Sequence, residues 1–398
     1  MLLRARTVYP VSRPPIEDGA VIVRDGVIQA VGNYHDLSPD DNDQEDLGEV
    51  VLMPGLINAH CHLDYTGMAG MIPPRNNFVE WIEAIVAIKA NWDYSDYAKS
   101  WVTGANQLLA SGCTTVADME AVPELIPEVW ESTPLRIFTF MELLSVTRKA
   151  PPEELVNQAI KRLKAHPNPR GGFGLSPHAL YSTYAELVTS ARDWPLSIHV
   201  AESAPEDEMF RESKGIMYRW LERNQRDMSD CTGRSPVHML HELSLLNDGL
   251  LAIHCNYLDD DDIGLLGDHH VNVVHCPGSH EYFGHAEFQA AELRKAGANL
   301  CLGTDSLASM RLRGSTKPAL NLFVEMCGFA EKYPGFSPEE ILEMATVNAA
   351  KALDRRGQLG ELTPNSLADL IAVESNSIES LVHSPPTVQK VMINGEWL

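Results

Sequence analysis

Eight short apolar runs recur through the middle of the chain, most of them followed by a longer stretch whose apolar residues fall at helical spacing. The runs are Val51 to His60, Cys113 to Ala117, Arg136 to Met141, Phe173 to Ser176, Leu196 to Val200, Leu251 to His254, Val271 to His275 and Asn299 to Leu302. Such alternation is the rhythm of a parallel sheet with crossover helices, whose strands are apolar because both sheet faces are covered. Eight units predict an α/β fold closed into a (β/α)8, TIM-like barrel. Helical spacing marks Phe78 to Lys89, Glu153 to Leu163, Tyr184 to Arg192, Asp259 to Leu266, Glu287 to Ala296 and Ser337 to Leu353. Ser337 followed by Pro338, Glu339 and Glu340 is a good helix start, with a capping hydroxyl and acids near the positive end of the dipole. The connection from Ala204 to Asn247 is too long for a simple loop and predicts extra helices over the face where such barrels place function.

The two ends read differently. Ala20 to Arg24, Asp25-Gly26 and Val27 to Val31 form a hairpin signature, because Asp-Gly supplies the positive φ angles of a tight turn. Ala368 to Val373 and Val388 to Glu396 are strand-like too, with Asn394-Gly395 as a second turn dipeptide. Residues 1–50 and 360–398 are therefore expected to build one composite β-sandwich domain, leaving 51–359 as the barrel.

Composition narrows the partners. The 398 residues carry 55 acidic against 31 basic side chains, a formal net charge of -24, which disfavours nucleic acid as a partner. No apolar stretch reaches the roughly 18 residues of a membrane span, and charge interrupts the N-terminus at once, so a mature cytoplasmic protein is expected. Seven scattered cysteines without a Cys-x-x-Cys pair fit a reducing compartment. Cys61, Cys255 and Cys276 each follow a histidine at a strand end. Alternation turns them away from whatever those histidines face and predicts buried packing thiols.

The chemistry concentrates at the C-terminal ends of the runs. His60 and His62 share one face of one strand end, a pair able to grip a metal. Further on stand Ser176-Pro177-His178, His199-Val200-Ala201-Glu202, His254, His275 and Gly303-Thr304-Asp305-Ser306. In a barrel these ends converge on one mouth. Packing alone seldom gathers so many desolvated polar groups, since each then needs a partner.

Pro-Gly-Leu-Ile-Asn-Ala-His-Cys-His at 54 to 62, His-Val-Ala-Glu at 199 to 202, His-Cys-Asn at 254 to 256, His-Cys-Pro at 275 to 277 and Leu-Gly-Thr-Asp-Ser at 302 to 306 resemble the amidohydrolase superfamily in order and spacing. Within it they look like the mononuclear deaminases of S-adenosylhomocysteine, methylthioadenosine, guanine, cytosine and aminodeoxyfutalosine, with triazine chlorohydrolases close by. The resemblance implies one divalent metal ion on His60, His62, His199 and Asp305, zinc first, with iron or manganese also suiting this donor set. Dinuclear members place a carboxylated lysine where this chain has Leu175-Ser176-Pro177-His178. Glu202 then serves as the general acid/base that protonates the ring nitrogen beside the attacked carbon, His254 orients the attacking water, Asp305 carries its proton to the leaving group, and His178 contacts substrate. His275, His280 and His285 receive no firm role, and His238, His241, His269 and His270 are expected on the surface or on helices.

For the substrate, a small molecule, the strand-seven and strand-eight loops resemble the aminodeoxyfutalosine branch. A glutamate that binds ribose in the S-adenosylhomocysteine deaminases falls here near Ala90, beside Lys89. A benzoate-bearing tail would suit a cation such as Arg75, Lys89 or Arg148. The alternatives are an S-adenosylhomocysteine, methylthioadenosine or guanine deaminase, a triazine-type chlorohydrolase, or a non-catalytic scaffold on the same fold. A homodimer is the mild expectation from the resemblance.

Overall fold

Eight parallel strands stand side by side in chain order: Leu56–Cys61, Cys113–Glu120, Arg136–Leu143, Gly172–Pro177, Leu196–Val200, Leu250–His254, Asn272–His275 and Asn299–Leu302. The first and last meet where the N–H groups of Thr304 and Asp305 donate to the His60 carbonyl at 3.0 and 3.1 Å and Cys61 bridges to Asp305. The predicted TIM-like barrel is thus present. The structure is a computed structural model describing residues 1–37, 43–148, 150–166, 168, 170–312 and 317–398. Among the described residues no helix is long and apolar enough to cross a membrane.

The first apolar run is two strands, not one. Val51–Pro54 pairs with Leu2–Val8 and Leu370–Glu374, and only Leu56–Cys61 enters the barrel. Gly55 is the crossing point. A Cβ there would lie 2.2 Å from the Thr114 side chain, so no other residue lets the chain step this closely past the second strand. The second and third strands run on to Glu120 and Leu143, past the ends expected from apolarity, because Glu120 and Glu142 are carboxyls inside strands.

Helix Phe78–Lys89 has the expected bounds, with the Asn77 side chain accepting from the Glu80 N–H at 3.1 Å. The stretch expected as a single helix from Ser337 to Leu353 is instead Pro338–Met344 and Val347–Ala352. Its break has a cause: the Ala345 carbonyl accepts the Ile57 N–H at 2.8 Å, tying the helix end to the first barrel strand. A seventeen-residue helix, Tyr94–Ala110, was not legible in the apolar spacing; an Asp93/Asp96 capping box starts it. The long connection after strand five carries Ala204–Glu212, Gly215–Arg223 and Pro236–Glu242, the extra helices its length predicts.

Strands from both termini form one mixed sheet about its own core of Leu3, Val21, Leu52, Leu370 and Met392. Both turn dipeptides adopt the positive φ that the hairpins need: Asp25 at 53° and Gly26 at 76°, Asn394 at 54° and Gly395 at 81°. Arg136 of barrel strand three pairs with Asp369 in a buried contact that joins barrel to sheet, and Asp369 also accepts the Asn394 N–H at 2.8 Å.

Candidate active site

His60, His62, His199, His254 and Asp305 converge at the barrel mouth. The His60 ring lies 5.0 Å from those of His62 and His199 and 5.7 Å from that of His254. Asp305 Oδ1 is 3.6 Å from His60 Nε2 and 3.9 Å from His62 Nε2. Donor atoms of His60, His199 and His254 all lie within 4.8 Å of one another, as do those of His60, His62 and Asp305. Backbone geometry aims them inward: Ala201, His254, Cys255 and Asp305 all hold positive φ, at 47°, 73°, 51° and 54°. Non-glycine residues adopt that conformation only when their surroundings impose it, and such strain gathers at functional sites. Here Cys255 and Asn256 donate to the carbonyls of Val200 and Ala201, both at 3.0 Å, and pin the bend.

These donors fit a metal ion. Among the described residues, both ring nitrogens of fully buried His60 and the Nδ1 of His62 have no hydrogen-bond partner, an expensive state for imidazoles unless a cation takes the lone pairs. Burial, then His60, holds the His62 imidazole well below its ordinary range, and burial does the same to His254 against the pull of Asp305. His199 is lowered to about 3 by burial and then by His178 and His60. Neutral imidazoles are what ligation requires. For Asp305 burial opposes ionisation, but His60, His254 and His62 together outweigh it and keep the carboxyl well below the usual range. Its Oδ2 accepts the Ser309 hydroxyl at 3.1 Å.

Glu202 stands beside this cluster, its Oε1 3.5 Å from His254 Nε2. Its N–H donates to Glu206 Oε2 at 2.7 Å and its carbonyl accepts from Asn256 at 3.0 Å, so its backbone is held from both sides. Burial, then the charges of Asp305 and Glu206, pushes the Glu202 carboxyl well above its ordinary range. A carboxyl that keeps its proton at neutral pH can give it away in a reaction.

The cluster opens into a cavity of about 290 Å³. Phe78, Trp81, Ile85, Trp220 and Tyr181 give it apolar and aromatic walls, while His178, Lys89, Glu142, Glu202 and Asp305 supply polar points. Of the three cations considered for a substrate tail, only Lys89 lines it; Arg75 is exposed, and Arg148 is half-exposed and paired with Glu186. His275 lies outside this cavity, stacked on Phe288 at 4.0 Å. His280 sits on a short helix, Pro277–Phe283, and its Nε2–H donates to the Ala286 carbonyl at 2.7 Å. Cys61, Cys255 and Cys276 are buried thiols as alternation requires. Glu142, Tyr65 and Trp220 were not recognised beforehand. For Glu142 a signal existed: an acid directly following the third apolar run.

A TIM-like barrel with a histidine and aspartate cluster at its mouth is the frame of a metal-dependent hydrolase, and sequence comparison is specific. The model of the amidohydrolase family matches residues 51–398. The 5-methylthioadenosine/S-adenosylhomocysteine deaminase of Syntrophobacter fumaroxidans is 31% identical over 388 residues, covering 90% of this chain and 80% of the relative. The 5'-deoxyadenosine deaminase of Methanopyrus kandleri is 27% identical over 413 residues, covering 96% and 89%. In fold the chain is similar to Helicobacter pylori aminofutalosine deaminase in complex with methylthio-coformycin, with a TM-score of 0.87, 21% identity and coverage of 100% of this chain and 99% of that one. The chain belongs to the amidohydrolase family. As a member it is a hydrolase acting on carbon–nitrogen bonds.

Proposed function

We propose that the chain is a metal-dependent aminohydrolase that releases ammonia from a 6-aminopurine nucleoside, with aminodeoxyfutalosine as the best single substrate. The observation that carries the reading is Glu202: a carboxyl buried beside the histidine cluster, 3.5 Å from His254, whose burial favours the protonated form. A ring nitrogen must be protonated for the amidine-like C6 to accept a nucleophile, and this carboxyl is suited to that step. The relatives named as deaminases of adenine nucleosides support the reaction class.

His60, His62, His199 and Asp305 would hold one divalent ion, zinc before iron or manganese. Bound there, the ion supplies Lewis acidity that makes a water nucleophilic near neutral pH. The chain's own groups do the rest. His254 orients the attacking water toward C6, and Asp305 takes one of its protons as the C–O bond forms. Glu202 gives its proton to N1, so the ring charge is neutralised as the tetrahedral carbon forms. Asp305 then returns its proton to the amino group, the C–N bond breaks and ammonia leaves. Glu202 takes a proton back as the 6-oxopurine forms. The aromatic cavity walls exclude bulk water, and His178 contacts the substrate. Residues 51–359 act as the catalytic unit and residues 1–50 with 360–398 as its β support, since no described residue of the latter lines the cavity.

Ammonia release should be compared across aminodeoxyfutalosine, S-adenosylhomocysteine, methylthioadenosine, 5′-deoxyadenosine, adenosine and guanine. Aminodeoxyfutalosine is expected to exceed adenosine in kcat/KM by at least about tenfold, or about 1.4 kcal/mol of transition-state binding. If S-adenosylhomocysteine or guanine leads by that margin instead, the substrate is wrong and the reaction class stands. Turnover of triazines alone would remove both.

A further inference from the structure

Glu142 ends up in an unusual position. Its side chain is 4% exposed, it lines the cavity, and among the described residues no donor is within hydrogen-bond distance of its carboxylate. His178 Nε2 lies 3.9 Å from Glu142 Oε1, too far for a hydrogen bond. That nitrogen is itself an acceptor. His178 Nδ1 lies 2.7 Å from Ser182 Oγ, whose proton goes to the Ala179 carbonyl at 3.1 Å, so Nδ1 carries the ring hydrogen and Nε2 a lone pair. The His178 Nε2 lone pair and the Glu142 carboxyl oxygens therefore face one gap with no hydrogen bond between them; burial raises that carboxyl and the Lys89 charge draws it back down.

A buried acceptor left unpaired is costly, and a pair of them is best satisfied by a ligand bringing donors on adjacent atoms. A vicinal diol does this, giving one hydroxyl proton to each acceptor. An ammonium group would also donate, but Lys89, among the described residues the one lysine or arginine lining the cavity and already acting on the Glu142 carboxyl, repels a second cation. The gap also borders the reacting cluster, since the His178 and His199 rings are 4.6 Å apart. We propose that Glu142, with His178 Nε2, receives the 2′,3′-diol of the substrate's ribose and makes the enzyme selective for ribonucleosides. This rests on the nucleoside reading above and adds the sugar to it.

The test compares the ribonucleoside that the metal-loaded wild-type enzyme turns over fastest with its 2′,3′-dideoxy counterpart. Wild type is expected to favour the ribonucleoside by about 30-fold or more in kcat/KM. In Glu142→Gln, which keeps the shape of the side chain, that ratio should fall to within about threefold of one. Metal content and circular dichroism serve as the check on folding. An unchanged ratio in the variant overturns the assignment while leaving the deaminase reading in place. Should the variant not fold, wild type decides alone: equal turnover of the two nucleosides overturns the proposal, and strong preference with tightened KM for the diol supports it. Wild-type enzyme that deaminates no nucleoside overturns both.

Discussion

The ring of His199 gives its Nδ1 proton to the backbone carbonyl of His178 across 2.8 Å. Strand four thereby sets the tautomer of a strand-five residue and leaves the His199 Nε2 lone pair free for the cluster. Such an outer hydrogen bond commonly fixes the orientation and basicity of a ligating imidazole.

Purified protein is expected to hold about one divalent ion per chain. His199→Ala should lose most of the ion and the activity together, as read by elemental analysis and ammonia release. Two tightly held ions per chain, or an active enzyme free of metal, would contradict the ligand set.

Replacing Glu202 by Gln removes a proton donor and leaves the ligands in place. Metal content should stay near one per chain while kcat drops by about 10²-fold or more. In wild type, activity should also decline as pH rises through the raised pKa of this carboxyl, because its deprotonated form has nothing to give the ring. A Glu202→Gln enzyme of near-normal turnover would show that another group is the acid.

Burial pushes the carboxyls of Glu206 up to about 8 and Asp118 up to about 7. The folded chain then binds protons that the unfolded chain releases at lower pH. Stability from these two groups is present below the ordinary carboxyl range and is lost as pH rises through about 7 and about 8. The melting temperature of metal-free protein is expected to fall between about pH 5 and about pH 8, and Glu206→Gln should flatten that fall. The same slope in the variant as in wild type would argue that Glu206 is already ionised when folded.

Arg136 and Asp369 couple the barrel to the terminal sheet, with the Arg136 and Asp369 side chains 6% and 3% exposed. Cutting a buried pair from one side strands the other charge, so Arg136→Ala should cost about 3–5 kcal/mol in chemical denaturation. Metal content in the surviving folded fraction should be unaltered. A loss below about 1 kcal/mol would mean that the pair carries no weight.

Much of the architecture was legible because its cues are local. Apolar runs marked the eight strands, and Asp25-Gly26 and Asn394-Gly395 marked the turns. Strand-end histidines marked the cluster, where the structure forms two triads that share His60, one with His62 and Asp305 and one with His199 and His254. The remainder depends on contacts distant in sequence. Nothing in Ser337 to Leu353 announces that Ala345 will accept from Ile57, and nothing beside Pro54 reveals that Thr114 will crowd Gly55. Glu142 escaped notice because an acid at a strand end is ordinarily solvated, and only the assembled cavity shows that this one is not.

Hydrolytic replacement of an amino group at C6 of a purine nucleoside is the central step, and oxygen-18 water tests it directly. Metal-loaded enzyme incubated with the preferred nucleoside in labelled water should release one ammonia for each nucleoside consumed and place one labelled oxygen at C6 of the product. Product without label, or release of ammonia from no adenine nucleoside at all, would contradict it.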